Sequence, residues 1–204
     1  MTKLVEQFGN IDIYLFDQLL RGNIAPGMQV LDAGCGGGRN LVYLLREGYE
    51  VFGVDASAEA VDHLRSVAAT LAPTLEPGNF RVEAVEAMSF PEQFVDVVIS
   101  NAVLHFARDD AQFEAMVREM WRVLRPGGML FCRLASTIGI DPSRPFHPIA
   151  GRRFLMPGGM EWYLVDETLL MKLTEELGGQ LIDPLKTTVV QGARCMTTWV
   201  VRKA

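Results

Sequence analysis

Cysteine is scarce in this chain of 204 residues. Cys35, Cys132 and Cys195 are odd in number and widely spaced, and no CxxC pair occurs. Neither a zinc knuckle nor a disulfide framework is therefore indicated, and no metal is expected. Long apolar runs are also missing, since nothing approaches the ~18 residues of a membrane-spanning helix. Residues 1–10 carry Lys3 and Glu6 and no apolar core, so they do not read as a signal peptide. Positive charge is in short supply. Lys and Arg number 19 against 25 Asp and Glu, a net charge of −6. A domain that grips phosphates is ordinarily basic, which argues against nucleic acid as a partner. There is no internal repeat and no low-complexity stretch. A soluble cytoplasmic protein, with no membrane partner, is the expectation.

What the chain does have is alternation. Short β-branched runs alternate with longer amphipathic segments, the pattern of an α/β protein with a mainly parallel sheet. The length suits one domain over 1–204. Residues 1–27 read as an N-terminal helical cap, with a helix over 11–20 capped by Asn10. Strands are expected at 29–32, 50–55, 80–85, 95–100 and 129–134, and helices at 40–46, 57–71 and 110–124. The regular pattern lapses over 135–165, which reads as a lid. Asp166 caps a further helix, ended by Gly178-Gly179. Segments 186–190 and 196–202 are separated by a short turn and predict a C-terminal antiparallel hairpin.

The most informative segment is Asp32-Ala33-Gly34-Cys35-Gly36-Gly37-Gly38-Arg39-Asn40, where a strand feeds a glycine-rich turn that opens a helix. Glycines allow positive φ and close approach of a ligand to the backbone. Asp55 ends the second strand, 19 residues after Gly36, where a carboxylate can accept both hydroxyls of a ribose. Gly34 and Gly36 fit the start of a dinucleotide fingerprint, but its third glycine falls on Arg39. An acid at Asp32 would repel a pyrophosphate and could pair with an ammonium group. A ligand with an amino-acid end and a ribose end suits both acids.

These residues resemble the class I S-adenosylmethionine-dependent methyltransferases over about 30–134. Asp32 to Gly38 looks like the family's first motif and Asp55, followed by Ala56, like its ribose-binding acid. Glu86-Ala87-Met88-Ser89-Phe90-Pro91 is similar to the adenine-lining segment, with Glu in the place of the commoner Asp. The resemblance implies that Glu86 accepts from the adenine amino group, that Ala87 offers its backbone N–H, and that Met88 packs on the ring. Phe94 to Asn101, with Val95 inserted, resembles the fourth-strand motif, and Arg122 to Gly128 the turn before the fifth strand. The implied fold is Rossmann-like, with seven mainly parallel strands, a reversed last one, and helices on both faces. The implied cofactor is S-adenosyl-L-methionine, giving S-adenosyl-L-homocysteine as product.

Methyl transfer from a sulfonium is an in-line displacement that needs alignment above all, and a base only where the acceptor must first lose a proton. His105 is the candidate base, with a backbone-bonded turn histidine as the plainer reading. Asn101 is either near the methionine part of the donor or a loop cap. Tyr14, His147, Arg152, Trp162 and Tyr163, together with Arg144, Phe146, Arg153 and Phe154, are candidates to line an acceptor pocket. A short lid points to a small-molecule acceptor. The competing readings are a nicotinamide-dependent oxidoreductase and a non-catalytic binding module for the same donor.

Overall fold

The computed structural model describes residues 3–141, 143, 147–156, 159–191 and 194–204. Arg144 and Phe146, and Gly192 and Ala193 of the expected turn, lie outside the described residues. The elements, in chain order, are α1 Lys3–Phe8, α2 Ile13–Leu20, β1 Gln29–Ala33, α3 Val42–Arg46, β2 Glu50–Asp55, α4 Ala58–Leu71, β3 Phe80–Val82, β4 Val95–Asn101, α5 Asp110–Val123 and β5 Leu124–Ala135. They continue with β6 His147–Ala150, β7 Arg153–Leu155, β8 Glu161–Tyr163, α6 Glu167–Glu176, β9 Gly179–Leu181, β10 Lys186–Val190 and β11 Arg194–Lys203.

The main sheet runs β10-β11-β5-β4-β1-β2-β3. Pairings from β5 to β3 are parallel, and β11 is antiparallel to β5 and to β10. The seven expected positions are filled, with one addition. β9 is an eighth strand, antiparallel to the last residues of β11 on the edge that β10 occupies further up. The Gly178-Gly179 pair that stops α6 also starts this strand, because Gly179 is already paired with Lys203.

Alternation along each strand sends side chains to two faces. Val30, Val51, Val97, Ile99 and Phe131 are buried on the side of α2, α3 and α4. Leu31, Phe52, Val98, Leu130 and Trp199 are buried on the side of α5 and α6. Both faces are covered, as a parallel sheet requires. Helix starts are fixed by side-chain caps. Ser57 accepts from Ala60 N, Asp109 from Gln112 N and Asp166 from Leu169 N. At α2 the cap is Asp12, which accepts from Tyr14 N at 2.9 Å, and not the expected Asn10.

Three further boundaries differ. β3 closes at Val82 instead of 85, and residues 84–86 turn away to wall a cleft. α3 opens at Val42, which frees the Asn40 amide oxygen to accept from Asp12 N at 3.1 Å. Segment 135–165 is not irregular throughout, since β6, β7 and β8 form a small antiparallel sheet. Val95 pairs with Leu124 and Val97 with Met129, so the Arg125-Pro126-Gly127-Gly128 turn is accommodated as a register shift beside the inserted Val95. Among the described residues no helix is long and apolar enough to cross a membrane.

Candidate functional site

Two clefts open at the carboxyl ends of β1, β2 and β4, which is where ligands bind in open α/β sheets. The first, about 480 Å³, is lined by Gly34, Gly36, Asp55, Ala56, Glu86 and Gln112 among others. Ala84, Val85, Ala102, Val103, Phe106 and Met116 make its walls apolar. The second, about 410 Å³, is lined by Gly9, Asn10, Arg39, Asn40 and Asn101. Gly34 and Gly36 border both clefts, so the glycine loop is the sill between them.

The loop's glycines have separate reasons. Gly34 has φ +85°, and a Cβ there would stand 2.3 Å from a methyl of Val103. Gly36 has φ +50°, and a Cβ there would meet no protein atom within 4 Å. Open space above a backbone that borders two clefts is what a ligand-facing glycine requires. Asp55 is held by Gly36 N on one oxygen and Ser57 N on the other, both at 2.9 Å. A carboxylate has about four lone-pair sites, so two remain for hydroxyls in the cleft.

Asp32 lies beneath the loop and lines neither cleft. It is fully buried and neither oxygen is hydrogen-bonded. Burial raises its pKa to about 7. Arg39 opposes this, Asp55 adds to it, and the Asn40 amide, near but outside bonding geometry, eases the ionised form slightly. Arg39 donates to the Asn101 side-chain oxygen at 3.0 Å, and the Asn101 amide nitrogen is buried without a partner. Cys35, in the loop, is buried and its thiol is pushed far up, so it is inert filler.

The adenine-type segment is placed differently from expectation. Glu86 lines the first cleft, but Ala87 and Met88 do not. Met88 is buried in the core, and its N–H is donated to Glu119 at 2.9 Å. The Ala87 N–H is donated to Ala84 O at 3.1 Å. The loop is clamped from α5, where Arg122 donates to Met88 O and Phe90 O while paired with Glu119. Sequence reasoning missed Phe106, Gln112 and Met116. The 3.6-residue spacing of α5 marked Met116 as core, and only the tertiary contact turns its edge to the cleft.

The candidate acceptor residues are dispersed. His105 is buried, with its ring 4.7 Å from that of Trp162 and 4.5 Å from that of Phe106. Burial lowers its pKa to about 4, and its Nδ1 has no partner. Trp162 is buried against Met156 and Leu164, with its indole N–H unpartnered. Tyr163 stacks on Phe113 and donates to Asp110 at 2.7 Å, so it fastens the small three-stranded sheet to α5. Arg152 pairs with Asp166 at 2.6 Å, and Arg153 with Glu161. His147 is exposed at the start of β6. Tyr14 meets Thr188 Oγ1 at 2.8 Å and lies under the Arg133 guanidinium. Ala102, at the lip of the first cleft, holds φ +63°, a strained value for alanine that is common near functional sites. Among the described residues, no group of His, Cys, Asp and Glu could hold a metal ion.

The first cleft thus offers Asp55 beside a glycine sill, the Glu86 carboxylate and an apolar slot between them, with Asp32 sealed below the loop. It fits a nucleoside joined to an amino-acid tail. Comparison with known proteins agrees. Residues 31–132 match the family described as methyltransferase domain. An uncharacterized methyltransferase of Synechocystis is 30% identical over 183 residues, covering 86% of this chain and 75% of that protein. A ubiquinone biosynthesis O-methyltransferase of Cereibacter sphaeroides is 32% identical, over 64% of this chain and 49% of that one. A tRNA 5-carboxymethoxyuridine methyltransferase of Escherichia coli is 30% identical, over 76% of this chain and 60% of that one. The chain therefore spans only about half the length of some relatives. Among solved structures, 1,6-didemethyltoxoflavin-N1-methyltransferase of Burkholderia thailandensis, with bound S-adenosylhomocysteine, superposes with a TM-score of 0.72 at 18% identity. That match covers 99% of this chain and 81% of the other.

Proposed function

Because the chain belongs to the S-adenosylmethionine-dependent methyltransferases, we propose that it methylates a small-molecule acceptor, with the donor lying across the glycine sill. The observation that carries the donor site is the pair of clefts joined at Gly34 and Gly36. In this reading Asp55 takes the ribose hydroxyls, Glu86 the adenine amino group and Phe106 the face of the ring. Arg39 and the unpartnered Asn101 N–H donate to the carboxylate of the tail, while Asp32, when ionised, favours the ammonium from below through its field. S-adenosylmethionine, when bound, supplies an electrophilic methyl group on a sulfonium. The chain's part is to hold the reactants in line and exclude water. His105, uncharged above about pH 5, is a poor base for an alcohol. Its place is under Trp162, as a seat for the lid.

Two features favour a small acceptor over nucleic acid. The net charge is −6. The lid arginines Arg152 and Arg153 are each neutralised by an acid, leaving them little free charge for phosphates. The three cysteines, all free and buried, accord with a reducing cytoplasm. The test is calorimetry with S-adenosylhomocysteine and with NADH, followed by transfer of radiolabelled methyl groups to fractionated small molecules and to tRNA. We expect S-adenosylhomocysteine to bind and label to enter a small molecule. Binding of NADH alone would overturn the donor assignment, and label found only in tRNA would overturn the acceptor.

A further inference from the structure

The adenine end of the first cleft holds a side chain that neither the motifs nor the relatives assign. Gln112, in the first turn of α5, lines the cleft beside Glu86. Its amide is oriented from both ends. Oε1 accepts from Arg108 N at 3.0 Å, and Nε2 donates to Glu86 Oε1 at 2.6 Å. The flipped amide would set N–H against N–H and oxygen against carboxylate, so the assignment is fixed by the network. A primary amide has two N–H donors and a carboxylate two oxygens. One Gln112 N–H and Glu86 Oε2 are therefore left over on two linked side chains that line the same cleft, a donor and an acceptor. Adenine offers the complement, an amino donor flanked by a ring-nitrogen acceptor. The backbone N–H expected to serve that nitrogen, at Ala87, is committed to Ala84 O, and Ala87 lies outside the cleft.

We propose that Gln112 is a specificity-determining residue, donating to the ring nitrogen next to the 6-amino group while it holds Glu86 to accept from that group. Adenine flanks its amino group with N1 on one edge and N7 on the other, and the same pair of side chains fits either. The inference rests on the donor site proposed above.

The test is calorimetry of the full chain with S-adenosylhomocysteine, its 1-deaza and 7-deaza analogues, and S-inosylhomocysteine. For the wild type, one deaza analogue should bind roughly tenfold more weakly than the parent, since a buried N–H would lose its acceptor. The other deaza analogue should bind like the parent, which identifies the edge. The inosyl compound should bind more weakly still, because it turns a carbonyl toward the carboxylate. Gln112→Leu should weaken the parent by roughly tenfold and erase the deaza discrimination. Circular dichroism should show that variant folded, because the cap bond from Gln112 N to Asp109 stays and only the bond that Oε1 accepts from Arg108 N is lost at the start of α5. Gln112→Met serves as a second variant with the same expectation. Equal binding of both deaza analogues by the wild type, or discrimination that survives in both variants, overturns the role of Gln112 and leaves the donor site standing. No binding of S-adenosylhomocysteine to the wild type overturns both.

Discussion

At the scale of single residues, two aspartates at the ends of neighbouring strands are set to different work by their surroundings. Asp55 is anchored by two N–H groups and keeps lone pairs for a ligand. Asp32 is sealed beneath the loop with no bond on either oxygen. Its folded pKa of about 7 stands above the ordinary 3.8. Between about pH 4 and 7 the folded molecule thus holds a proton that the unfolded chain has lost. Stability from this group is full below pH 4 and is lost as pH rises through 7, on the order of 4 kcal/mol in all. Asp32→Asn should flatten that loss. Urea denaturation at pH 5 and pH 8 measures it, and an unchanged difference between the two pH values would show the carboxyl to be ionised throughout. The position of Asp55, Gly34 and Gly36 at the cleft was legible in the sequence because they follow directly from strand ends and one turn, whereas the burial of Asp32 beneath the loop was not. Ala87 and Met88 were misplaced because a motif fixes order and not which way a loop rolls. Gln112 was invisible, as its meaning comes from Glu86, 26 residues away.

At the scale of elements, α5 is both a wall of the cleft and a clamp on it. Arg122 holds Met88 O and Phe90 O at 3.0 and 2.8 Å and is itself held by Glu119. Arg122→Ala should leave two carbonyls and a carboxylate without their donor, at a cost of about 1–3 kcal/mol. Freed of its clamp, the loop carrying Glu86 should also bind S-adenosylhomocysteine severalfold more weakly. Denaturation and calorimetry on the same variant check this, and lowered stability with unchanged affinity would mean that the clamp serves folding alone. Caps at residues 57 and 166 fixed the starts of α4 and α6, and the one at α2 was missed by two residues because Asn10 and Asp12 are both good caps. The small sheet of β6, β7 and β8 was not legible. Its strands are three or four residues long, too short for a period of two to declare itself.

At the scale of the whole molecule, the alternation of strand and helix and the closing hairpin were readable, since most of these elements are consistently patterned and separated by turn residues. β9 was not, because three residues gain a partner only once β11 lies alongside. A bound donor should stabilise the entire domain. Saturation at a hundred times the dissociation constant adds about 2.7 kcal/mol, which for a chain of this size raises Tm by roughly 5–10 °C. Thermal scans with and without S-adenosylhomocysteine measure that rise, and a flat response at millimolar ligand would count against the cleft as its site. The opposite end of the sheet is braced by a different set, in which Asp96 accepts from Arg125 and from Gln29 N. Chemistry and bracing thus occupy opposite rims. Variation in the loops at the carboxyl rim can then be explored by descent without unmaking the scaffold, while the inheritance of the fold stays secure.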